Sequence, residues 1–374
     1  MEKKLLIEKV NKQYPRMVEL RRDIHRHPEV GMDTIRTSDL VVFEAKNFGL
    51  KYERIGNGVV VDFSDNPTIA LRADMDALPI NEETNLSFSS EIPNRMHACG
   101  HDMHTSILIG IMPIIKEMKL PVRMIFQPGE EIGKGAISMI NGGALEGIKF
   151  IFGLHAWTSM DVGEYHIVKG GAMAAVDNFT VKITGKGGHA AYPHLAFDTV
   201  AEASHLINYL LEIPSRKINP LDPAVVSIGY IRGGTANNVI PQVVEMGGTA
   251  RSLSQNVAAT IEREIKSLSN EHVQVVYEKE LPVLENDIEY SHAIDKLSEG
   301  LIRNRNVPPT MGGEDFAFYC KKTRCAFAFL GTGKINGIEV SKHSSNFDIN
   351  EEAMIYGGLL HIAAALAAEE LMKG

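Results

Sequence analysis

Thr68-Ile-Ala-Leu-Arg-Ala73 is a short β-rich run that predicts a strand and ends directly before the carboxylates of Asp74 and Asp76. Further runs of this kind are Gly58-Val-Val-Val-Asp-Phe63, Val122-Arg-Met-Ile-Phe126 and Lys149-Phe-Ile-Phe-Gly-Leu154. Residues 1–50 space their apolar side chains at a helical period, and an apolar helix is expected after His104. Because strands and helices alternate, we predict an α/β domain with a mostly parallel sheet covered by helices.

The pattern of predicted strands and helices changes near Ala174. Phe179-Thr-Val-Lys-Ile-Thr-Gly185 alternates as a strand with one solvated face does. Helical patterns then cover about 198–213 and 257–270, and strand patterns cover 224–231, 243–250 and 273–277. The order strand, helix, strand, strand, helix, strand predicts a ferredoxin-like α+β domain. We therefore expect an inserted domain at 174–281 within a larger domain formed by residues 1–173 and 282–374.

Composition narrows the setting of the protein. A net charge of −9 over 374 residues argues against nucleic acid or an anionic membrane as partner, because both favour a basic face. The N-terminal residues lack the apolar core of a signal peptide. The sequence contains no run of about 18 apolar residues, so we expect no membrane span. The three cysteines are typical of a reducing compartment and not of a disulfide framework. A cytoplasmic location is expected.

The segment Met96-His-Ala-Cys-Gly-His-Asp-Met-His104 concentrates one thiol, three imidazoles and a carboxylate within nine residues. Thiolate and imidazole are the ligands that zinc and related transition metals favour. Such groups are costly to bury unless something satisfies them. The segment therefore predicts part of a metal site.

Further acidic and imidazole groups follow the predicted strands: Asp74 and Asp76, then Glu130 with Glu131, then His155. Each motif also has an interpretation without a functional role. Asp74 and Asp76 could form a turn, Glu130 and Glu131 could be a solvated pair that begins a helix, and His155 could be a core histidine. In open α/β sheets, however, ligands bind at the carboxyl ends of strands, where these groups would converge. Together with the late His343 they match a hydrolytic site with two metal ions about 3.5–4 Å apart.

Eight segments in register resemble one family along essentially the whole chain. They are Arg21–Gly31, Arg72–Pro79, His97–His104, Phe126–Glu131, Gly185–His194, Asn238–Pro241, Gly248–Arg251 and Gly313–Phe316. Together they resemble the metal-dependent amidohydrolases of the aminoacylase and carboxypeptidase clan. The nearest branch contains hippurate hydrolase, indole-acetyl-amino-acid hydrolases and N-acetyldiaminopimelate deacetylase.

The resemblance implies two divalent metal ions per subunit, either zinc or manganese, cobalt or nickel. The positions that match ligands are Cys99, His101, Glu131, His155 and His343. Glu130 matches the general base, and Asp76 matches a carboxylate that orients a ligand or tunes its basicity. His97 and His104 are then expected to support or pack against the ligands.

The resemblance also implies that 174–281 is a dimerisation (lid) domain and that the protein is a homodimer or a dimer of dimers. His189 matches a histidine that reaches the partner's active site, although a structural histidine in a tight turn is the alternative. Arg251 and Asn238 match residues that hold the substrate carboxylate, and for Arg251 the alternative is a surface charge at a strand edge. Relatives often have proline soon after the position of His155, where this chain has Thr158-Ser159, and serine-proline after the position of His343, where it has Ser344-Ser345. These differences leave the substrate preference open.

The predicted function is hydrolysis of the amide bond of N-acyl, above all N-acetyl, amino acids by a metal-activated water. A carboxypeptidase or dipeptidase that acts on short peptides through the same centre is the alternative. A different class of enzyme would use Cys99 as nucleophile, with His101 or His104 as base. A non-catalytic protein that only binds amino acids or metal is disfavoured, because it has no use for Glu130 as a base.

Overall fold

The computed structural model describes residues 3–335 and 337–373. The α-helices are α1 (Lys3–Arg26), α2 (Ile35–Asn47), α3 (His101–Met118), α4 (Gly135–Asn141), α5 (Thr199–Arg216), α6 (Gln255–Lys266), α7 (Ile288–Ser298), α8 (Ala317–Cys320) and α9 (Ala353–Lys373). The strands are β1 (Lys51–Ile55), β2 (Gly58–Asp62), β3 (Ile69–Asp74), β4 (Val122–Gln127), β5 (Phe150–Trp157), β6 (Glu164–His166), β7 (Gly170–Met173), β8 (Ala175–Thr184), β9 (Gly188–His189), β10 (Ala224–Gly233), β11 (Val239–Ile240), β12 (Val243–Ser252), β13 (Val273–Leu281), β14 (Leu284–Asn286), β15 (Arg303–Asn304) and β16 (Arg324–Gly331).

The chain divides into two compact units. The first comprises the residues up to Gly170, Glu285–Pro308 and those from Asp315 onward, and the second comprises Gly171–Leu284 and Pro309–Glu314. An eight-stranded sheet in the order β1-β2-β4-β3-β5-β16-β6-β15 forms the first unit. Its central strands β4, β3, β5 and β16 are parallel, whereas β2 joins β4, and β6 joins β16, in antiparallel fashion. The predicted α/β class is confirmed.

The central strands bury both faces, as their nearly continuous apolar sequences require. All six residues of β3 are buried, and so are the first seven of β5. Parallel strands end at one edge of a sheet, so β3 delivers Asp74, β4 delivers Gln127 and β5 delivers Trp157 to the same edge. This edge is where the predicted metal ligands gather.

Helix α9 is long and apolar enough to cross a membrane by length and composition alone, with a mean hydropathy of 1.3. Within the first unit, however, 67% of this apolar window is buried. Leu360 and Ile362 belong to the same core cluster as Ile107 and Ile111 of α3. A helix that is apolar all round is typical of a buried core element, and α9 occupies that position here.

The second unit contains a four-stranded antiparallel sheet in the order β10-β12-β8-β13. Helices α5 and α6 contribute Leu210 and Ile261 to a separate core with Phe179 and Met246 of the sheet. The first and third strands of this sheet in chain order, β8 and β12, are central, which is the ferredoxin-like arrangement that the sequence predicts. The boundaries 174–281 and the dimerisation role of this unit stay predictions.

Two of the three cysteines form a disulfide, which the sequence did not lead us to expect. Cys320 and Cys325 form a disulfide with their Cα atoms 5.1 Å apart, whereas Cys99 is a buried free thiol. The prediction that the cysteines are unpaired was therefore wrong for this pair. The short turn from the end of α8 to β16 brings the two side chains together, and spacing alone does not reveal such a turn.

Candidate metal centre

The loop before α3 turns sharply between two predicted ligands, Cys99 and His101. Gly100 makes this turn with a φ of +98°, a conformation that favours glycine. A Cβ atom at Gly100 would also lie 3.0 Å from the Cβ of Ala156 in β5. Glycine therefore permits both the turn and the close approach of the loop to the strand that carries His155.

The Cys99 thiol belongs to two groups of potential ligands. One group is Cys99, His101 and His155, and the other is Cys99, Glu131 and His343. Within each group the ligand atoms all lie within 4.8 Å of one another. Cys99 Sγ is 3.3 Å from His155 Nε2, and His343 Nε2 is 3.3 Å from Glu131 Oε1. The structure thus brings together all five residues that the sequence analysis names as ligands.

Hydrogen bonds fix which nitrogen each buried histidine presents. His101 Nδ1 lies 2.8 Å from the carbonyl oxygen of Asp76, and His155 Nδ1 lies 2.8 Å from that of Ala156. Each Nδ1–H donates to its carbonyl, which leaves the Nε2 lone pair available to the centre. Burial, followed by the positive charge of Lys342, holds the pKa of His155 well below its usual value. A neutral imidazole is the form that binds a metal.

The residues of the centre fit two transition-metal ions. His101 Nε2 is buried and has no hydrogen-bond partner among the described residues. Leaving such an atom unsatisfied costs about 1–3 kcal/mol, which coordination would remove. The first group offers sulfur and two nitrogens, and the second offers sulfur, oxygen and nitrogen, as zinc and its neighbours accept.

The environment of Cys99 disfavours its use as a free nucleophile. Burial raises the pKa of the Cys99 thiol to about 12, against the opposing effect of His101. Reactive cysteines instead have a lowered pKa, because the thiolate is the nucleophile. A bound cation would deprotonate this thiol, as it does any thiol that coordinates it.

Asp76 organises the acidic pair after β4. Its Oδ1 accepts a hydrogen bond from the backbone N–H of Glu130 (3.0 Å), and its Oδ2 accepts one from that of Glu131 (3.1 Å). The side chains of the pair then point at His101, whose Nε2 is 3.9 Å from Glu130 Oε2 and from Glu131 Oε1. Asp76 thus contacts a predicted ligand through its backbone carbonyl, and positions the acidic pair through its carboxylate.

The sequence predicts Asp74 near the site, but it does not predict the buried ion pairs that Asp74 and Asp315 form with Arg72. Arg72 donates to Asp74 Oδ2 (2.6 Å) and to Asp315 Oδ1 (3.0 Å). His104 Nδ1 donates to Asp74 Oδ1 (2.6 Å), while its Nε2 accepts from the Ala156 N–H (3.0 Å). Burial raises the pKa of Asp74, but the guanidinium of Arg72 and the hydrogen bond from His104 oppose this rise, and the pKa lies well below its usual value. An arginine inside an apolar strand could have indicated such a pair, because a buried guanidinium requires carboxylates.

A second buried network anchors the loops that carry ligands. Arg21 of α1 donates to Asp102 (3.1 Å), to Asp348 (2.9 Å) and to Glu351 (3.0 Å). Asp102 directly follows His101, and Asp348 lies on the segment that carries His343. The backbone N–H of His343 itself donates to the carbonyl of Ala98 (2.8 Å). The motif that begins at Arg21 therefore ties both ligand loops to α1.

In the second unit, the structure brings two of the predicted site residues close together. His189 of β9 pairs with Val239 of β11, next to Asn238. The Ala190 N–H donates to the carbonyl of Asn238 (3.0 Å). The His189 side chain is exposed, and a cavity of about 680 Å³, lined mainly by apolar groups such as Ile240 and Pro241, adjoins it. Its proposed contact with a partner subunit stays a prediction.

Arg251 lies apart from this pair, on β12. This strand is internal to the sheet, between β10 and β8, so Arg251 is not a charge at a strand edge. Its guanidinium is partly buried and donates to the carbonyl of Met311 (3.0 Å). Its role in holding a substrate carboxylate stays a prediction.

Comparison with known proteins gives consistent matches over the whole chain. Residues 70–367 match the model of peptidase family M20/M25/M40. An N-acetylcysteine deacetylase of Bacillus subtilis is 35% identical, over 96% of this chain and 98% of that protein. Thermostable carboxypeptidase 1 of Saccharolobus solfataricus is 34% identical, over 94% of each chain. The crystal structure of a B. subtilis protein described as a dinuclear metal-binding peptidase of the M20 family superposes with a TM-score of 0.83, at 30% identity, over 96% of this chain and 99% of that one.

Proposed function

Because the chain belongs to peptidase family M20/M25/M40 and is a hydrolase of amide bonds, we propose that it cleaves N-acyl amino acids, above all N-acetyl amino acids. The products would be the free amino acid and a carboxylate. The observation that carries the mechanism is the position of Cys99, which is shared by two groups of potential metal ligands. We further propose that the enzyme is cytoplasmic and that its substrate is a small molecule. We also propose that it forms a homodimer or a dimer of dimers.

Five residues would hold the two metal ions. They are Cys99, His101, Glu131, His155 and His343. Zinc suits this mixture of sulfur, nitrogen and oxygen, and manganese, cobalt or nickel are accepted by similar sets. When bound, the ions lower the pKa of water and polarise the carbonyl oxygen of the substrate.

Glu130 would act as the general base. Its carboxylate takes a proton from the attacking water and later delivers it to the amine that leaves when the C–N bond breaks. The Asp76 carboxylate holds the Glu130 backbone in place, and the Glu130 side chain is only 10% exposed. A partly buried carboxylate in a fixed position suits repeated proton transfer.

Residues of the second unit would bind the substrate. Arg251 would offer a planar pair of donors to the α-carboxylate, which lysine cannot imitate, and Asn238 would contribute a further hydrogen bond. His189, contributed by the partner subunit, would stabilise the oxyanion. Removal of one such donor typically costs about 2.7–4 kcal/mol of transition-state stabilisation.

A Glu130→Ala substitution tests the mechanism. We expect turnover of N-acetyl amino acids to fall by at least about 100-fold, because general-base catalysis contributes about 10²–10⁴-fold. Metal content should stay close to that of the wild type, because Glu130 is not among the proposed ligands. Turnover is measured by release of the free amine, and metal content by elemental analysis.

Two further measurements delimit the proposal. Activity that survives thorough removal of metal by a chelator would contradict the metal mechanism. A screen of N-acetyl amino acids, N-benzoyl amino acids and dipeptides identifies the substrate class. Hydrolysis of dipeptides alone would instead support the second candidate, a carboxypeptidase or dipeptidase, which the carboxypeptidase among the relatives favours.

A further inference from the structure

A lysine and the only tryptophan of the chain meet at the rim of the candidate metal centre. Trp157 ends β5, two residues after His155, and its ring stacks on Phe329 of β16 with the centroids 4.1 Å apart. Lys342 directly precedes His343, and its Nζ lies 4.1 Å from the centroid of the Trp157 ring. A cation–π contact of this kind restrains the ammonium group and leaves its N–H donors on the other side available.

The charge of Lys342 reaches the centre itself. It belongs to the residue directly before His343, and the ring that holds it lies two residues after His155. A positive charge beside proposed metal ligands repels metal ions and does not support their binding.

No carboxylate of the described residues compensates this cation. Among residues 3–335 and 337–373, no carboxylate forms an ion pair with Lys342 within 4.0 Å, whereas the buried Arg21 and Arg72 each have carboxylate partners. Lys342 is only partly exposed. An unpaired and partly desolvated ammonium beside a cationic centre is unfavourable by itself, and an anion that arrives with the substrate would relieve it.

We propose that Lys342, held on Trp157, determines specificity by binding a second carboxylate of the substrate. This inference rests on the proposed function, and the second carboxylate is additional to the one assigned to Arg251. The substrate class is then N-acyl amino acids that carry an acid group in the side chain or in the acyl group. A lysine is a compact point charge that suits a single carboxylate, and a charge-assisted hydrogen bond between the two is stronger than a neutral one.

The kinetic test uses pairs of substrates that differ in one charge. N-acetyl-L-glutamate with N-acetyl-L-glutamine places the acid in the side chain, and N-succinyl-L-alanine with N-succinamoyl-L-alanine places it in the acyl group. We expect the wild type to prefer the acid in one of the two pairs. Lys342→Met should reduce that preference in kcat/KM by about tenfold or more, since each 1.4 kcal/mol is a factor of ten. Lys342→Arg should restore part of it.

A matched control is Lys46→Met, since Lys46 also lies over an aromatic ring, that of Tyr52 at the β1 edge of the sheet. This variant should retain the wild-type preference. The metal content of Lys342→Met should not fall, because the lysine is not a ligand. A Lys342→Met protein that loses metal, or that loses the same factor of kcat/KM with both members of each pair, would overturn the proposal.

Binding can be measured without turnover, because Trp157 is the only tryptophan and reports directly on Lys342. The metal-loaded protein is titrated with glutarate and with glutaramate, which has one carboxylate fewer, while tryptophan fluorescence is recorded. We expect glutarate to bind about tenfold more tightly, and this difference to vanish in Lys342→Met. Equal affinities in the wild type would overturn the inference. Tighter binding of glutarate without hydrolysis of any N-acyl amino acid would uphold Lys342 and contradict the proposed function instead.

Discussion

Asp74 and Asp76 lie two residues apart and both are buried, yet the two carboxylates have different hydrogen-bond partners. Asp74 accepts hydrogen bonds from the guanidinium of Arg72 and from the imidazole of His104. Asp76 accepts two backbone N–H groups from the acidic pair. An Asp-x-Asp pattern does not distinguish these roles, because the partners come from distant parts of the chain.

Replacement of Asp76 by Asn tests its positioning role. The amide would place an N–H₂ group against one of the two backbone N–H donors, so the acidic pair would lose a bond and shift. We expect metal affinity or kcat to fall by about 10–100-fold, the usual effect of removing a group that orients ligands. Asp62→Asn, at the end of β2, is the control, because Asp62 pairs with Arg123 and not with the centre. Turnover and metal affinity within twofold of the wild type would refute this role.

At the scale of elements, α1 is fastened to the first turn of α3 by a buried imidazolium. His25 Nδ1 is 2.8 Å from Asp102 Oδ2, and its Nε2 is 3.3 Å from Glu82 Oε1. Burial lowers the pKa of His25, but Asp102 and Glu82 outweigh burial and raise the pKa to about 9. The imidazole is therefore charged at neutral pH and donates to both carboxylates.

This contact predicts a pH dependence of stability. The pKa of His25 is higher in the folded state than its unfolded value of about 6.5, so its stabilisation is complete below pH 6.5 and is lost as the pH rises through about 9. We expect the free energy of unfolding to fall between pH 6.5 and 9.5 by more in the wild type than in His25→Gln. Denaturant unfolding at both pH values measures the difference, and His27→Gln, directly after the end of α1, is the control. Identical pH dependence in the wild type and His25→Gln would contradict the assignment.

Across the whole molecule, the periodicity of apolar residues predicted both sheets and their fold classes. A strand that is buried on one face alternates apolar and polar residues, and a strand that is buried on both faces is apolar throughout. The end-of-strand rule also placed Glu131 and His155 near the Cys99 loop. Contacts such as Arg72 with Asp315, or Lys342 with Trp157, could not be predicted in this way. They join residues separated by long stretches of chain, and single residues carry no periodic pattern. The Cys320–Cys325 disulfide could not be predicted for a different reason, because it depends on a local turn that spacing alone does not reveal.

We propose that Cys99 is a ligand in both metal positions of the first unit. The metal-to-protein ratio of purified, folded variants tests this shared role. We predict two divalent ions per chain in the wild type, one in His343→Ala and none in Cys99→Ala, since His343 belongs to one group of ligands and Cys99 to both. Retention of one or both ions by Cys99→Ala would contradict the shared position of the thiol and the centre built on it.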